Sequence, residues 1–325
     1  MRGRVGLFRC RSERVARLLA MHGRLIATAC LTVLALSACG GAPDTGGAAG
    51  ADGTRIAPPA KITGRAPFDR VVVVVFENKA PGEIFGHGDA PTFNRLAHQY
   101  AVLTGYGGIA HPSLPNYLAL VSGSTQGIHD DCDNCSTGAS NLADLLEARG
   151  RTWKTYAEGL PAPGYAGGNT GRYRKHHEPF VYFRDVRSNA QRLKRVVPYS
   201  ELSGDLANGL LPDFSLVVPD NCHNMHDCSV STGDAWLKGF LPPLLASPQM
   251  RRGVVFVIFD EGSGRQPGLP GGRVPALAVG PTVRPGARTR ARLDHYNLLR
   301  TIEDAFRLPR LGRSAGAKPI TGIWR

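Results

Sequence analysis

Short groups of oxygen-bearing side chains follow three apolar segments of the chain. Each segment has five or six residues and is rich in β-branched types, which is typical of strands covered on both faces. In a parallel sheet the carboxyl ends of the strands meet at one edge, so the groups that follow them converge. Acidic residues also end strands as turn formers, but three such groups together predict a metal site. The groups are Glu77 with Asn78, Asp220 with Asn221, and Asp260 with Glu261.

The cofactor that these residues predict is one divalent metal ion. Carboxylate, amide and hydroxyl oxygens form a hard ligand set that suits calcium, magnesium or manganese. Zinc and iron also accept carboxylates, so the identity of the metal stays open at this point.

The segment 110–117 (AHPSLPNY) contains the candidate nucleophile, Ser113. We expect Ser113 at or just before the first turn of a helix, with Pro115 near the first helical position. Free backbone N–H groups and positive potential at such a helix end favour a bound phosphate. A serine hydroxyl attacks phosphorus only when its proton is removed, and a bound cation assists that removal. A serine that only caps the helix is the alternative interpretation.

Polar side chains near the serine and in the segment 219–228 (PDNCHNMHDC) are candidates for contacting the phosphate. Asn116 and His111 could donate hydrogen bonds to the phosphate oxygens. His226 is the candidate general acid for the leaving group, and His223 is a candidate donor. For each histidine, a turn or surface position is the alternative.

The segment 167–183 (GGNTGRYRKHHEPFVYF) combines glycines, five basic residues and several aromatics. It could clamp an anionic headgroup beside an apolar surface, or it could be a solvated insertion. The spacing does not decide between these two interpretations.

Alternating strand-like and helix-like segments predict an α/β fold, with a mostly parallel sheet between layers of helices. The expected strands are 71–76, 153–157, 214–218, 254–259 and 274–279. The expected helices are 90–100, 115–121, 140–149, 234–245 and 296–306, the last of them capped by Asp294. With 42% hydrophobic residues, the chain has enough apolar material for one large core, so we expect a single domain at 68–325.

The start of the chain is typical of an exported bacterial protein. Arginines precede an apolar run at 25–36 that is too short to span a membrane and fits a signal peptide. The following Leu-Ser-Ala-Cys is similar to a lipobox, which predicts a lipoprotein signal peptide at 1–38 and a lipid anchor at Cys39 on the outer face of the membrane. Secretion after ordinary cleavage is the alternative, and translation could begin at Met21 instead of Met1. A flexible Gly/Ala/Pro tether follows at 39–67.

Charge and cysteine content add two further expectations. The net charge is +13, but seven arginines and one glutamate precede residue 39, so the charge does not indicate a nucleic-acid partner. Four cysteines lie in the expected domain, and an even number in an exported protein favours disulfides. Two local pairs, Cys132 with Cys135 and Cys222 with Cys228, are the favoured arrangement. A cross-link between the two segments and a structural zinc site stay open.

Several of these segments resemble a known family. HPSLPNY at 111–117, followed by LALVSG at 118–123, is similar to the nucleophile segment of the alkaline phosphatase superfamily. With FEN at 76–78 and FDEG at 259–262, the chain resembles the bacterial phosphoesterase family of acid phosphatases and phospholipases C. Its compact HPSLPNY and NMHD forms are most similar to mycobacterial secreted acid phosphatases that act on phosphatidylinositol 3-phosphate.

The resemblance implies an alkaline-phosphatase-like fold and a serine nucleophile, Ser113, that forms a phosphoserine. It also implies that five residues hold one divalent cation, although the family often has Asp where this chain has Glu261. The five residues are Glu77, Asn78, Ser113, Asp260 and Glu261.

These observations predict a metal-dependent phosphomonoesterase that acts on phosphoinositides or other phosphorylated small molecules. A phospholipase C or other phosphodiesterase on the same catalytic core is the alternative, because it differs only in room for a second ester group. A sulfatase is disfavoured, since Tyr117 stands where the formylglycine motif requires Arg. A surface lipoprotein that binds its ligand without turnover is the non-enzymatic alternative.

Overall fold

A central sheet of eight strands organises the part of the chain that the structure describes. The computed structural model describes residues 68–325, with the exception of residues 265 and 267, so the predicted signal peptide at 1–38 and tether at 39–67 lie outside the described residues. The strand order is β5-β4-β6-β1-β7-β8-β2-β9, and β3 and β10 form a separate two-stranded sheet. The strands are β1 Arg70–Phe76, β2 Ala101–Leu103, β3 Tyr106–Gly107, β4 Trp153–Ala157, β5 Val196–Pro198, β6 Phe214–Val218, β7 Gly253–Phe259, β8 Ala276–Val279, β9 Arg288–Thr289 and β10 Leu293–Asp294.

Seven of the eight strands in the large sheet run in the same direction. Only β8 is antiparallel to its neighbours, β7 and β2. Every residue of β6 and β7, and all of β1 except its first residue, is buried. These central strands are covered on both faces, which explains why they are almost continuous runs of Val, Ile, Leu and Phe.

Helices pack on the sheet and complete a single α/β domain, which confirms the predicted fold class. Among the described residues, no helix combines the length and the apolar character that crossing a bilayer requires. The helices are α1 Pro81–Ile84, α2 Pro91–Gln99, α3 Ser113–Ser122, α4 Leu142–Glu147, α5 Arg184–Arg187, α6 Ala190–Leu193, α7 Glu201–Ala207, α8 Val230–Ala246 and α9 His295–Phe306.

All five predicted strands and all five predicted helices are present, with ends that differ by at most four residues. The cap of α9 is also as predicted, because the Asp294 side chain accepts the N–H groups of Tyr296 and Asn297. Strands β2, β5 and β9 were not predicted. They are only two or three residues long and lie at or near the sheet edges, so they carry too short a pattern to detect.

The start of α3 differs from the expected position by two residues. The helix begins at Ser113 with Pro112 as its N-cap, so Ser113 is not the capping residue and Pro115 is the third helical residue rather than the first. Proline is tolerated there because the first four N–H groups of a helix have no partner within the helix.

A buried carboxylate joins two of the helices. Asp234 of α8 accepts hydrogen bonds from the backbone N–H of Thr92 at 2.8 Å and of Phe93 at 3.0 Å. These groups lie in the first turn of α2, whose own N-cap, Ala90, has no side chain that could accept them. The positive potential of the helix end also favours the negative charge of Asp234. The side chain therefore acts as a tertiary cap that holds α2 against α8.

We expect Asp234→Ala to lower the free energy of unfolding by about 2 kcal/mol, because two buried N–H groups lose their acceptor. Urea denaturation of the purified protein measures the change. Asp89→Ala is the matched control, since Asp89 is exposed, and its effect should stay below about 0.5 kcal/mol. Equal effects of the two substitutions would contradict the proposed capping role.

Candidate active site

Glu77 and Asp260 lie side by side at the carboxyl ends of two neighbouring parallel strands. β1 pairs with β7 in a register that sets Phe76 opposite Phe259, and the acidic residue follows directly in each chain segment. Adjacent strands are about 4.8 Å apart, so carboxylates in these positions repel each other. Both side chains are buried, at 0% and 1% exposure. The structure thus brings these two predicted ligands together.

Ser113 joins the pair from the first residue of α3. Its Oγ donates a hydrogen bond to Glu77 Oε2 at 3.0 Å, and the same hydroxyl interacts with the carboxylate of Asp260. Ser113 is buried but not sealed, at 4% exposure. Three residues that are far apart in the sequence therefore meet at one edge of the sheet.

Asn78 completes this group. Its φ of 52° lies in the left-handed region, which Asn tolerates better than most residues, and its N–H donates to Asp260 Oδ1 at 3.3 Å. Asn78 Oδ1 and Asp260 Oδ2 are buried and have no hydrogen-bond partner among the described residues. Buried oxygens without a donor are costly unless a cation satisfies them. These two atoms are thus the structural feature that fits a bound metal.

Burial and mutual repulsion disfavour the charged forms of the acidic side chains. Burial, and then the charge of Asp260, raise the pKa of Glu77 well above its ordinary value. Burial raises the pKa of Asp260 to about 6. Burial, followed by the charges of Asp260 and Asp131, raises the pKa of Glu261 to about 9. A divalent cation would favour the ionised forms, and the hard oxygen donors of this cluster suit such an ion.

Glu261 contacts the loop that precedes α3. Its Oε2 lies 3.0 Å from His111 Nδ1 and 3.4 Å from Asn116 Nδ2. Asn116 also folds this loop, because its Oδ1 accepts the N–H of Ile109 at 2.7 Å and its Nδ2 donates to the carbonyl oxygen of Ala110 at 2.9 Å. The structure therefore brings the predicted substrate-binding residues His111 and Asn116 to the predicted ligand Glu261.

Tyr117 and His177 contact Glu77, although sequence reasoning assigned neither of them to the site. The hydroxyl of Tyr117 donates to Glu77 Oε1, and His177 Nε2 lies 3.4 Å from the same oxygen. The two rings stack with their centroids 5.3 Å apart. Tyr117 follows Ser113 by four residues, about one helical turn, so helical spacing was a usable signal for Tyr117. No comparable signal marks His177.

The segment 167–183 is exposed in part, at residues 169, 171 and 172, but its second half is buried. Lys175, His177 and Glu178 are all buried, and the aromatic residues that follow them belong to the core. The ring of His176 packs edge-on against His177, with centroids 4.3 Å apart. Burial, and then the charges of His176 and His226, lower the pKa of His177 well below its ordinary value. His177 is therefore a neutral imidazole next to the candidate metal ligands.

The predicted general acid, His226, lies close to these two histidines. Its charge contributes to lowering the pKa of both His176 and His177, so the three rings interact electrostatically. Its Nδ1 is 2.7 Å from Asp227 Oδ1, and the side chain is 45% exposed. His226 is therefore an exposed imidazole whose orientation is held by a carboxylate.

Two disulfides close short loops, which confirms the favoured local pairing. Cys132 is bonded to Cys135, and Cys222 is bonded to Cys228. The second bond closes the loop 222–228, which carries His226. Within this loop the carbonyl oxygen of Asn224 accepts the N–H of Glu77 at 2.9 Å. The disulfide-bonded loop is thus attached to the end of β1.

His223 and Asp220 form a separate group with Glu158. His223 Nδ1 is 2.9 Å from Glu158 Oε2, and Asp220 Oδ1 accepts the N–H groups of Cys222 and His223, each at 2.9 Å. One ligand atom from each of the three side chains lies within 4.8 Å of the others, a composition that also suits a cation. The carboxylate of Asp220 thus binds the backbone of its own turn, and Glu158, which follows β4, holds this turn through His223 and the N–H of Asp220.

The backbone of Asp260 is supported from two sides. His295 Nε2 lies 2.6 Å from the carbonyl oxygen of Asp260, and His295 Nδ1 lies 3.1 Å from the hydroxyl of Tyr106. Burial lowers the pKa of His295, so the neutral ring donates from Nε2 and accepts at Nδ1. A Cβ atom at Gly108 would lie 2.7 Å from the same carbonyl oxygen, so only glycine fits there. His295 therefore holds the backbone of Asp260 in place.

The N-terminus of α3 is partly occupied by the protein itself. The N–H of Leu114 donates to Asp131 Oδ1 at 2.8 Å. A carboxylate at this place takes one of the free donors that the sequence suggested for phosphate. The end of α3 therefore has one donor fewer for an anion than the sequence suggested.

Sequence comparison connects this geometry with known proteins. The family model described as the phosphoesterase family matches residues 83–309. The chain is 35% identical over 258 residues to the phosphatidylinositol-3-phosphatase of Mycobacterium tuberculosis, which covers 79% of this chain and 83% of that protein. It is 30% identical over 274 residues to a probable acid phosphatase of Kluyveromyces lactis, covering 79% of this chain and 63% of that longer protein.

Solved structures show the same fold at low sequence identity. A member of the alkaline phosphatase superfamily from Vibrio parahaemolyticus has a TM-score of 0.55 at 16% identity, covering 81% of this chain and 72% of that one. The phosphonate monoester hydrolase of Agrobacterium radiobacter has a TM-score of 0.51 at 12% identity, covering 79% of each chain.

Fold and sequence together define a hydrolase that acts on phosphoric esters. The chain belongs to the phosphoesterase family, as the resemblance in its sequence predicted. Its named relatives are phosphatases, so phosphatase is the class of enzyme to which the site described above belongs.

The raised pKa values predict how pH and metal act on stability. The acidic groups lose their protons near pH 4 in the unfolded chain, but only at higher pH in the folded protein. The metal-free protein should therefore lose stability as pH rises towards about 9. Metal binding displaces these protons, so a metal should raise the melting temperature by about 5 °C more at pH 8 than at pH 6. Differential scanning fluorimetry with calcium, magnesium, manganese and zinc measures this increment.

Glu178 provides the internal comparison for this measurement. Burial raises its pKa to about 8, so Glu178 adds to the pH dependence of the metal-free protein. It is not among the proposed metal ligands, and Glu178→Gln should leave the metal-induced increment in place, whereas Glu261→Gln should reduce it. If metal raised the melting temperature equally at pH 6 and pH 8, the result would contradict a metal site made of carboxylates.

Proposed function

We propose that this chain is a metal-dependent phosphomonoesterase of the acid phosphatase type, with Ser113 as the nucleophile and a phosphoserine intermediate. One observation carries this proposal: the hydroxyl of Ser113 donates to Glu77 beside Asp260, within a buried cluster that includes unsatisfied oxygens. Membership of the phosphoesterase family supports the type of reaction.

The proposed cofactor is one divalent ion: calcium, magnesium, manganese or zinc. When bound, it supplies positive charge that lowers the pKa of the serine hydroxyl and stabilises negative charge on the phosphate oxygens. Glu261 Oε2 already contacts His111 and Asn116, so Oε1 of Glu261 is the proposed ligand atom for the ion. The proposed ligands are Glu77, Asn78, Ser113, Asp260 and Glu261.

In the first step, Ser113 Oγ attacks phosphorus while its proton passes to Glu77 Oε2, the oxygen that accepts its hydrogen bond. The Oγ–P bond forms as the bond between phosphorus and the leaving oxygen breaks. His226 donates a proton to that leaving oxygen. Asn116 and His111 are the proposed donors to the non-bridging oxygens, and His223 is a further candidate donor from the same disulfide-bonded loop as His226.

In the second step, a water molecule attacks the phosphoserine. His226, now neutral, accepts the proton of the water, and Ser113 leaves phosphorus and recovers its own proton from Glu77. Inorganic phosphate is released and every group returns to its initial protonation state. Tyr117 and His177 hold Glu77 in place during both steps, since both contact its Oε1.

The proposed substrates are phosphoinositides or other phosphorylated small molecules. The named activity of the M. tuberculosis relative supports a phosphorylated lipid headgroup. The two disulfides fit an oxidising compartment outside the cytosol. A signal peptide and a lipid anchor at Cys39, which are predictions for residues outside the described range, would bring the site to a membrane surface.

Ser113→Ala should reduce the turnover of p-nitrophenyl phosphate by at least about a thousandfold, because the variant lacks the proposed nucleophile. Removal of divalent metal with a chelator should have a comparable effect, and one of the four metals should restore activity. Acid quenching during turnover should trap phosphate on the Ser113 peptide, detectable by mass spectrometry. Ser203→Ala, at an exposed position of α7, is the matched control. Undiminished turnover after both treatments would exclude the mechanism.

The ester preference separates the proposed function from its alternative on the same core. We expect kcat/KM for p-nitrophenyl phosphate to exceed that for bis-p-nitrophenyl phosphate by at least about tenfold, since a monoester presents one more anionic oxygen to a cationic site. Initial-rate measurements on the same metal-loaded protein give this ratio. A preference for the bis ester would instead indicate a phosphodiesterase such as a phospholipase C.

A further inference from the structure

We propose that a basic cleft beside the candidate active site binds a phosphate group other than the one that is hydrolysed. The basic cleft is defined by Arg292, Arg313 and Lys318. This inference rests on the proposed phosphatase function and deepens it, because it assigns a second anionic group to the substrate or to the surface that carries the substrate.

Two connected cavities form the cleft. The larger one, of about 410 Å³, lies between the loop from β9 to β10, the start of α9 and the segment 313–321, and all three basic residues line it. The smaller one, of about 140 Å³, shares Arg292 and Arg313 with it and reaches Gly108 and Ile109. Gly108 packs against the carbonyl oxygen of Asp260, and Ile109 is bonded to Asn116, so the cleft extends to the loop that leads into Ser113.

The topology of the sheet places the cleft and the catalytic residues at the same edge. β9 is parallel to β2, and β2 runs in the same direction as β7 because each is antiparallel to β8. The loop 290–292 therefore leaves the same edge of the sheet as Glu77 and Asp260. β9 is three strands away from β7 in the sheet, which corresponds to about 14 Å.

Positive charge is concentrated in the part of the chain that forms the cleft. Residues 271–325 contain eleven Lys and Arg but only three Asp and Glu, whereas residues 68–270 contain eighteen and twenty. The net positive charge of residues 68–325 therefore comes from this last segment. Such a concentration next to a site for anionic substrates raises the local concentration of phosphate-bearing ligands.

Of the three acidic residues in this segment, only Asp294 lines the two cavities, so with three basic side chains the cleft keeps a net positive charge. Glu303 and Asp304 pair with Arg300 and Arg310. The carboxylate of Asp294 accepts two N–H groups at the start of α9. Among the described residues, Arg292, Arg313 and Lys318 form no ion pair, and all three side chains are exposed.

Phosphate is the anion that this arrangement fits. Guanidinium groups bind phosphate oxygens in pairs, and an ammonium group adds a compact charge. Two arginines and a lysine around one cavity carry three positive charges, which suits a phosphate better than a carboxylate with its single negative charge. Arg292 follows β9, which lies about 14 Å from β7, the strand that leads into Asp260, and this separation is wider than one phosphate. The bound group is therefore a second phosphate on the same molecule or a phosphate of a neighbouring lipid.

The test compares three substrates: p-nitrophenyl phosphate, soluble inositol 1,3-bisphosphate, and phosphatidylinositol 3-phosphate in phosphatidylcholine vesicles. The variant is Arg292→Gln combined with Arg313→Gln. We expect its kcat/KM for one or both of the larger substrates, relative to p-nitrophenyl phosphate, to fall about tenfold through a higher KM. In 0.5 M salt the screening length is roughly 4 Å, which weakens binding by exposed charges. For the wild type, kcat/KM for the larger substrates relative to p-nitrophenyl phosphate should therefore fall.

The matched control is Arg149→Gln combined with Arg251→Gln. Both arginines are exposed, and they precede β4 and β7 at the opposite edge of the sheet, so they remove the same charge far from the cleft. The ratios of this control should equal those of the wild type. Equal losses in the control and in the cleft variant would mean that only net charge matters, and the proposal would be overturned.

The outcomes also distinguish the two sources of phosphate. A loss for both larger substrates assigns the cleft to a second phosphate of the same molecule, and a loss for vesicles alone assigns it to neighbouring lipids. No selective loss for either substrate overturns the proposal. If the wild type does not hydrolyse p-nitrophenyl phosphate, the proposed function fails. Phosphate binding by the cleft is then measured without turnover, by titration calorimetry with inositol 1,3-bisphosphate and by sedimentation with the vesicles. Weaker binding by the cleft variant supports it, and equal binding overturns it.

Discussion

Electrostatic repulsion between Glu77 and Asp260 is the constraint on which the rest of the site depends. The two side chains are buried at the ends of adjacent parallel strands, and the register of the sheet fixes their backbones side by side. Their surroundings hold them there: Asn224 binds the backbone of Glu77, and His295 binds the backbone of Asp260. A fold that concentrates negative charge in this way is stable near neutral pH when protons or a cation compensate it. Ser113, the proposed nucleophile, lies next to this compensating charge because its hydroxyl donates to Glu77.

The strand ends were predictable from the sequence because a buried parallel strand leaves a clear mark. A run such as VVVVVF has no polar face, so the first polar residue after it identifies both the end of the strand and the edge of the sheet. Glu77 and Asp260 were found in this way. Ser113 was found from the proline-bounded start of a helix, and the structure moves that start by only two residues. Local patterns were sufficient for these three residues because each lies at the boundary of a regular element.

The remaining parts of the site depend on contacts that no local pattern records. His177 lies in a segment of glycines and basic residues that looks solvated, but it is buried because it stacks on Tyr117 and approaches Glu77. Asp220 follows a strand as Glu77 does, yet its carboxylate binds the backbone of its own turn. The difference between these two acids is decided by the neighbouring loops. Sequence spacing alone cannot report such tertiary packing.

The disulfide between Cys222 and Cys228 connects the proposed site to the redox state of the chain. The ring that it closes carries His226 and supplies the carbonyl group that binds Glu77. In the cytosol, glutathione and thioredoxin keep such thiols reduced, so a newly made chain would lack this covalent restraint. Under the proposed function, oxidation after the predicted export would add the restraint that holds Asn224 against Glu77. Hydrolysis that begins only at that stage would spare the phosphate esters of the producing cell.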